Sequence, residues 1–594
     1  MANTTPPRWD LSNVYPGLDS GEFRSALDEA RTRITDLEAF SAQLAHLDAQ
    51  TDSATLARFT GDAIDRINET LTLTETIRAY LASFITTDSY NTTARRLLSE
   101  FEQELVRLEK LLTRFQAWVG KLAPVLPEMI RQDDRVRAHA FALQEAAEQS
   151  KYLMSEAEED LAAELNLSGA NAWSKLQGTV TSQLSVDFEL NGEKKRLPMP
   201  ALINLRSHPD EDVRRRAYET EMQAWESVRE TLAACMNGVK GTVVTLNRRR
   251  GREDALHSAI DAARIDRPTL ETLLEAMRDS FPMFRRYFRA KARKLGQEKL
   301  PWWNLFAPLG KSERTFTFDE ARAFIVEHFG NFSPDLAAFA QRAFDHRWID
   351  AEQRDGKRGG AFCMEVPGVK ESRILCNFDG SLDQVFTIAH ELGHAYHNEC
   401  AYQAGKTILQ RDTPMTLAET TSIMCETITF EAALAQASGP EEELAILEKS
   451  LSDSAQVIVD IYSRFLFEKE VFERRERAEL SADELCEIME NAQKATYGDG
   501  LDERYLHKYM WTWKPHYYYP GLSFYNFPYA FGLLFGTGLY AIYRQRGPDF
   551  VEEYKTLLAS TGEAKAADLA ARFGINIREK KFWEESLRII AQRV

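Results

Sequence analysis

Cysteine is scarce: Cys235, Cys363, Cys376, Cys400, Cys425 and Cys486 are spread over 594 residues with no C-x-x-C pair. Such usage argues against a disulfide framework and suits reduced thiols in the cytosol. Cys363 and Cys376 could face each other across a hairpin, yet that compartment argues against a bridge. Basic charge is also short. Lys and Arg total 73 against 91 Asp and Glu, a formal charge of −18 that opposes attraction to nucleic acid or anionic lipid. No apolar run is long enough for a bilayer: the most apolar stretch, residues 529–543, contains Gly532, Gly536 and Gly538 and is expected to form a buried helix. The first ten residues, with Pro6, Pro7 and Arg8, lack the apolar core of a signal peptide. The expectation is a cytoplasmic protein with neither nucleic-acid nor membrane partners. Repeats and low-complexity tracts are absent too.

What is present is helix. The length exceeds one compact core and predicts two or three lobes, and 44% apolar with 28% charged residues is a soluble globular balance. From Gly21 to about Leu165, apolar residues recur three and four apart, as in Leu97, Phe101, Leu105, Leu108 and Leu112. Alternating Val186, Phe188 and Leu190 then run into Asn191-Gly192, a two-residue hairpin signal closed by Pro198 and Pro200. A boundary is placed there: residues 1–190 are read as N-terminal helical domain or domains, and 191–594 as the catalytic domain. Helical periodicity resumes from Asp210 to about Arg347, interrupted by the loop Pro301 to Pro308. Two short strands, Gly359 to Val366 and Ser372 to Phe378, are expected around Pro367-Gly368. The fold class is therefore mainly α, multi-lobed, with a small β-sheet beside the helix described next.

Ser381 followed by Gln384 predicts a capping box, and Val385, Phe386, Ile388, Ala389 and Leu392 supply the packing face of a helix. It carries His390-Glu391-Leu392-Gly393-His394. Positions i and i+4 share a face, so both imidazoles reach one tetrahedral zinc, with Glu391 turned toward the coordination position left for water. Zinc brings the pKa of such a water to about 7, and a carboxylate beside it can take the proton and pass it to the departing amine. A third ligand is needed. The H-E-x-x-H-x-x-G-x-x-H pattern is excluded, because His397 and Cys400 stand where it requires Gly and His. Asp412-Thr413-Pro414 predicts a second helix bearing Glu419 and Glu426 on one face, among Leu417, Ile423 and Met424. Glu419 is read as the third ligand and Glu426 as an acceptor orienting a ligand imidazole. Asp383 and Glu399 are read as surface charges; His397 is left open between lining the site and a structural role.

His390 to His397, with Glu419 opening a Glu-x-x-Ser-x-Met-x-Glu run 29 positions after His390, resembles the oligoendopeptidase F family, relatives of thimet oligopeptidase. Arg8-Trp9-Asp10-Leu11-Ser12 with Tyr15-Pro16, and Gly359 to Cys363, are similar to that family's opening and to its strand before the motif. The resemblance implies a helical fold with a deep substrate channel, one zinc, and short peptides as substrates. Eleven of the 25 residues from Tyr505 to Tyr529 are aromatic, against 11% in the chain. Packing accounts for many, yet phenols and an imidazole can also donate to an oxyanion. The family's downstream His and Tyr residues point to His516, Tyr525 and Tyr529 as catalytic candidates. The Tyr517 to Ser523 stretch departs from thimet-type spacing and leaves open which phenol acts, and Pro520-Gly521 is a candidate hinge.

The leading expectation is a zinc-dependent oligoendopeptidase. Its rivals are a zinc metallocarboxypeptidase and a non-catalytic peptide-binding protein with a structural metal.

Overall fold

The computed structural model describes residues 5–312 and 314–594. In chain order, the elements used below are α1 (Gly21–Leu44), α2 (Ser53–Thr87), α3 (Thr92–Lys121), β1 (Ser185–Leu190), β2 (Glu193–Pro198), α4 (Glu211–Arg249), β3 (Ile349–Asp350), β4 (Phe362–Val366), β5 (Glu371–Leu375), α5 (Leu382–Gln403), α6 (Met415–Ala418), α7 (Thr420–Ala435), α8 (Ile461–Arg475) and α9 (Phe527–Arg546). The fold is mainly helical with only small sheets. Its contacts divide it into two units, each gathered from three stretches of chain. Unit 1 comprises Met1–Leu153, Arg314–Ala432 and Ile542–Gly574; unit 2 comprises Met154–Glu313, Ala433–Ala541 and Ile575–Val594.

In unit 1, α1, α2 and α3 start at Ser20, Asp52 and Asn91, whose side chains accept from the N–H of Phe23, Thr55 and Ala94. Each cap satisfies an otherwise unpaired donor and contributes about 1 kcal/mol. The expected stripe on α3 is its inward face: Phe101 joins Phe23, Ile77, Tyr80 and Leu81 in one cluster, and Leu108 joins Ile34, Leu37 and Ile67 in the next. The sheet that follows has the order β3-β5-β4. β4 and β5 pair antiparallel with Cys363 opposite Ile374, and β3 runs parallel to β5. β3, only two residues long, was beyond the reach of the sequence pattern. β4 is an edge strand, and α5 packs across β4 and β5.

In unit 2, β1 and β2 form the expected hairpin. Asn191 and Gly192 both have positive φ, +54° and +78°, the two-residue turn whose twist matches its strands. The Lys240 ammonium on α4 lies 2.6 Å from Glu468 on α8, with side chains 1% and 0% exposed. Glu468 also accepts the N–H of Phe524 at 3.1 Å. Breaking such a pair strands a charge in low dielectric. Glu468→Gln is therefore expected to cost about 3–5 kcal/mol, read as a lower denaturation midpoint, with part recovered when Lys240→Met is added.

The apolar stretch 529–543 lies within α9, where Phe531, Leu534, Phe535 and Leu539 are fully buried. Among the described residues, no helix is long and apolar enough to cross a membrane. All six cysteines are free thiols, Cys363 and Cys376 included.

Candidate metal centre

α5 begins at Ser381, whose hydroxyl accepts the Gln384 N–H at 3.3 Å. The reciprocal half of the expected capping box is missing, and Gln384 Oε1 is buried without a partner. One face of α5 buries Val385, Ile388, Ala389 and Leu392 completely. The next face presents His390 and His394, ring centroids 5.0 Å apart and planes at 80°.

The second helix is two. α6 ends at Ala418, Glu419 sits at φ −79°, ψ 0°, and α7 starts at Thr420. This corrects the expectation of one continuous helix carrying Glu419 and Glu426. The Thr420 and Ser422 hydroxyls donate to the carbonyls of Leu417 and Glu419 at 2.6 and 3.0 Å, local bonds that compete with helical ones. Glu419 thus occupies the sparsely used region between helix and turn, where site residues are often found.

The break turns the Glu419 carboxylate to both imidazoles. Its Oε2 is 3.3 Å from His390 Nε2 and 3.4 Å from His394 Nε2, and each residue offers one ligand atom within 4.8 Å of the others. Around a tetrahedral zinc bonded at 2.0–2.2 Å, neighbouring ligand atoms stand about 3.3–3.5 Å apart. Both nitrogens therefore already stand at a tetrahedral edge's distance from the carboxylate oxygen. Ser422 donates to the same Oε2 at 2.6 Å. His390 Nδ1 lies 3.0 Å from Glu426 Oε2. A proton held there leaves Nε2 with its lone pair. Glu426→Ala is expected to weaken metal affinity about 10–100-fold, measured by competition with a chelator of known affinity.

Electrostatics separate the two working carboxylates. Burial pushes Glu391 up to about 7, with the His390 charge only partly offsetting it. Burial opposes ionisation of Glu419 as well, yet hydrogen bonds from His390 and Ser422 and the imidazole charges hold it at about 2. His394 is lowered to about 4 by burial. His390 is held well above its ordinary value despite burial, because Glu419 and Glu426 flank it.

Gly393 lets the two backbones meet. A Cβ there would stand 2.6 Å from Ser422 Cα and 2.7 Å from Thr421 O. His397 is outside the cluster: its Nε2 is 2.8 Å from Thr561 Oγ1 and 3.1 Å from Leu558 O, a buried tie. Glu399 is no surface charge; it is buried and paired with Arg342 at 2.8 Å. Asp383 is exposed as expected.

His516, Tyr525 and Tyr529 belong to unit 2, whereas the ligand cluster belongs to unit 1. The three gather together. The His516 ring stacks on Tyr525 with centroids 3.5 Å apart and planes at 9°, and Tyr529 meets Tyr525 edge-on at 6.1 Å. Burial lowers His516 to about 4, helped by the charges of Arg464 and Lys514, and raises Tyr525 to about 12. Phe524, beside Tyr525, has φ +52°. A bulky residue there stores about 1–3 kcal/mol, held by the bond to Glu468. Much of the remaining aromatic segment is core: Trp511, Tyr517 and Tyr518 are fully buried.

Two residues of the site were missed from the sequence: Ser422 and Gly393 stood in the quoted motifs without a role.

A family model described as peptidase family M3 matches residues 204–589, and one described as Oligopeptidase F matches 125–185. The chromosomal oligoendopeptidase F of Lactococcus lactis subsp. cremoris is 26% identical over 407 residues, 68% of this chain and 66% of that protein. Group B oligopeptidase PepB of Streptococcus agalactiae is 24% identical over 404 residues, with the same shares. The matched stretch thus spans just under two thirds of each relative. The crystal structure of oligoendopeptidase-F from Enterococcus faecium superposes with a TM-score of 0.71 at 18% identity, over 96% of this chain and 97% of that one, a likeness of fold.

Proposed function

Because the chain belongs to peptidase family M3, we propose that it is a zinc-dependent oligoendopeptidase hydrolysing internal bonds of short peptides, with His390, His394 and Glu419 as ligands. The observation that carries the reading is the placing of both imidazole Nε2 atoms 3.3 and 3.4 Å from one oxygen of Glu419, with Glu391 buried alongside. A bound zinc supplies a Lewis acid for the scissile carbonyl. Glu391 accepts the proton of the attacking water on its carboxylate and returns it to the departing amine nitrogen. Burial favours the protonated form of this carboxyl, which eases its acceptance of the water's proton. Glu426 fixes the His390 tautomer, and Ser422 fixes the Glu419 oxygen. β4, paired only through β5, offers main-chain groups that hold an extended peptide whatever its side chains.

His516, with Tyr525 or Tyr529, is assigned as donor to the carbonyl oxygen as it gains charge. The family's downstream His and Tyr residues support the assignment, as does their common cluster. At neutral pH, Tyr525 keeps its phenolic proton to donate. A division near residue 190 is retained as a proposal; the two family matches end at 185 and begin at 204, on either side of the β1–β2 hairpin. Free thiols support a reducing, cytoplasmic compartment.

The test is mass spectrometry of products from matched peptide sets, one blocked at both ends and one with free termini, with and without chelator. Internal cleavage that stops with chelator and returns with zinc is expected. Hydrolysis confined to peptides with a free C-terminus would overturn the endopeptidase assignment.

A further inference from the structure

Inside unit 2, a cavity is walled by Arg206, Arg214, Arg464, Glu221, Asp460 and His507, with Trp513 beside them. Three guanidinium groups and two carboxylates line it, and Asp210 and Glu211 stand close to Arg214 as well; a guanidinium keeps its proton whatever its surroundings. Arg214 is fully engaged: it donates to Asn304 Oδ1 at 2.8 and 2.9 Å and to the carbonyls of His208 and Pro209. Glu221 is also engaged, accepting from Trp225 Nε1 at 3.0 Å and His507 Nε2 at 2.8 Å. Arg464, 7% exposed, is paired with Asp460 on the same helical run, yet its Nε has no hydrogen-bond partner. Trp513 Nε1 is likewise buried and unspent. Arg206 rests over the Phe306 ring at 4.1 Å, its cation without a carboxylate contact.

Unspent N–H groups buried in a cavity wall call for an acceptor. We propose that this cavity is a binding site for a small inorganic anion, with chloride as the occupant, held by Arg206, Arg464 and Trp513. The space open to the centres of water-sized molecules is about 30 Å³. That admits a monatomic anion with one water and excludes a peptide carboxylate with its chain. The unspent Asp460 Oδ1 is the partner for that water.

The test uses the full chain at constant ionic strength, replacing sodium gluconate, whose anion is too large, by sodium chloride. The melting temperature is expected to rise about 2 °C for each tenfold increase in chloride above its dissociation constant. Arg206→Gln is expected to flatten that dependence. Coincident chloride and gluconate curves would overturn the proposal. Crystals of the unaltered protein grown with sodium bromide supply a readout independent of the variant. An anomalous peak between Arg206 and Arg464 is expected, and a cavity containing only water would overturn the site.

Discussion

Glu391→Gln is expected to lower kcat by about 10²–10⁴-fold, the usual contribution of a positioned acid–base group, with KM little changed. The amide keeps the size and the main-chain surroundings of the carboxylate but can neither take a proton from water nor return it. Glu391 is 7% exposed, accepts from the backbone of Cys363 on β4, and is not one of the clustered ligand residues His390, His394 and Glu419. Metal content should therefore remain at one per chain by elemental analysis, and the melting temperature should hold or rise, since a buried carboxyl gives way to a neutral amide of the same size. Loss of turnover with loss of metal would instead make Glu391 a ligand. Unchanged turnover would remove the acid–base assignment altogether.

Gly393→Ala should damage the centre without touching any ligand. Its new methyl would meet the backbone of Thr421 and Ser422 at 2.6–2.8 Å, where no side chain can swing aside. α5 and the start of α7 must part, and Glu419 moves away from the imidazoles on α5. A misplacement of about 1 Å at a reacting centre costs about 10²-fold, and that loss is expected in kcat/KM together with weaker metal retention. Stability should fall by only about 1–2 kcal/mol, because overpacking at 1–3 kcal/mol is offset by alanine's better helix preference of about 1 kcal/mol. Gly178→Ala is the control: it is also helical, and nothing lies within 4 Å of its Cβ. That variant should keep full activity and gain slightly in stability.

The sequence revealed those parts of the centre that depend on short-range geometry. Two histidines four apart share a helix face wherever they occur, so His390 and His394 needed no tertiary knowledge. Glu419 was reached by a helix argument although the helix breaks at that residue. Its apolar neighbours were enough to turn it inward, while the break depends on hydroxyls bonding back to carbonyls. The role of Ser422 depends on a rotamer, and that of Gly393 on the approach of a helix some 30 positions later in the chain. Neither leaves a periodic trace. Glu399 was misread because its burial comes from Arg342, a partner far away in sequence. Hairpin β1–β2 was legible from Asn-Gly alone, whereas β3 exists only through two residues pairing with a strand 25 positions later. Helical content followed from periodicity, but the gathering of each unit from three separated stretches is invisible to any local window.

That gathering has a consequence for synthesis. Unit 1 lacks its third stretch until residue 574 has left the ribosome, and unit 2 lacks its last until residue 594 has done so. Unit 1 cannot close its core before residue 574 is made, nor unit 2 before residue 594, so nascent helices wait with apolar faces uncovered and in reach of chaperones. A message cut short before codon 542 would deprive both units at once, leaving no independently folded fragment to carry the ligands already translated.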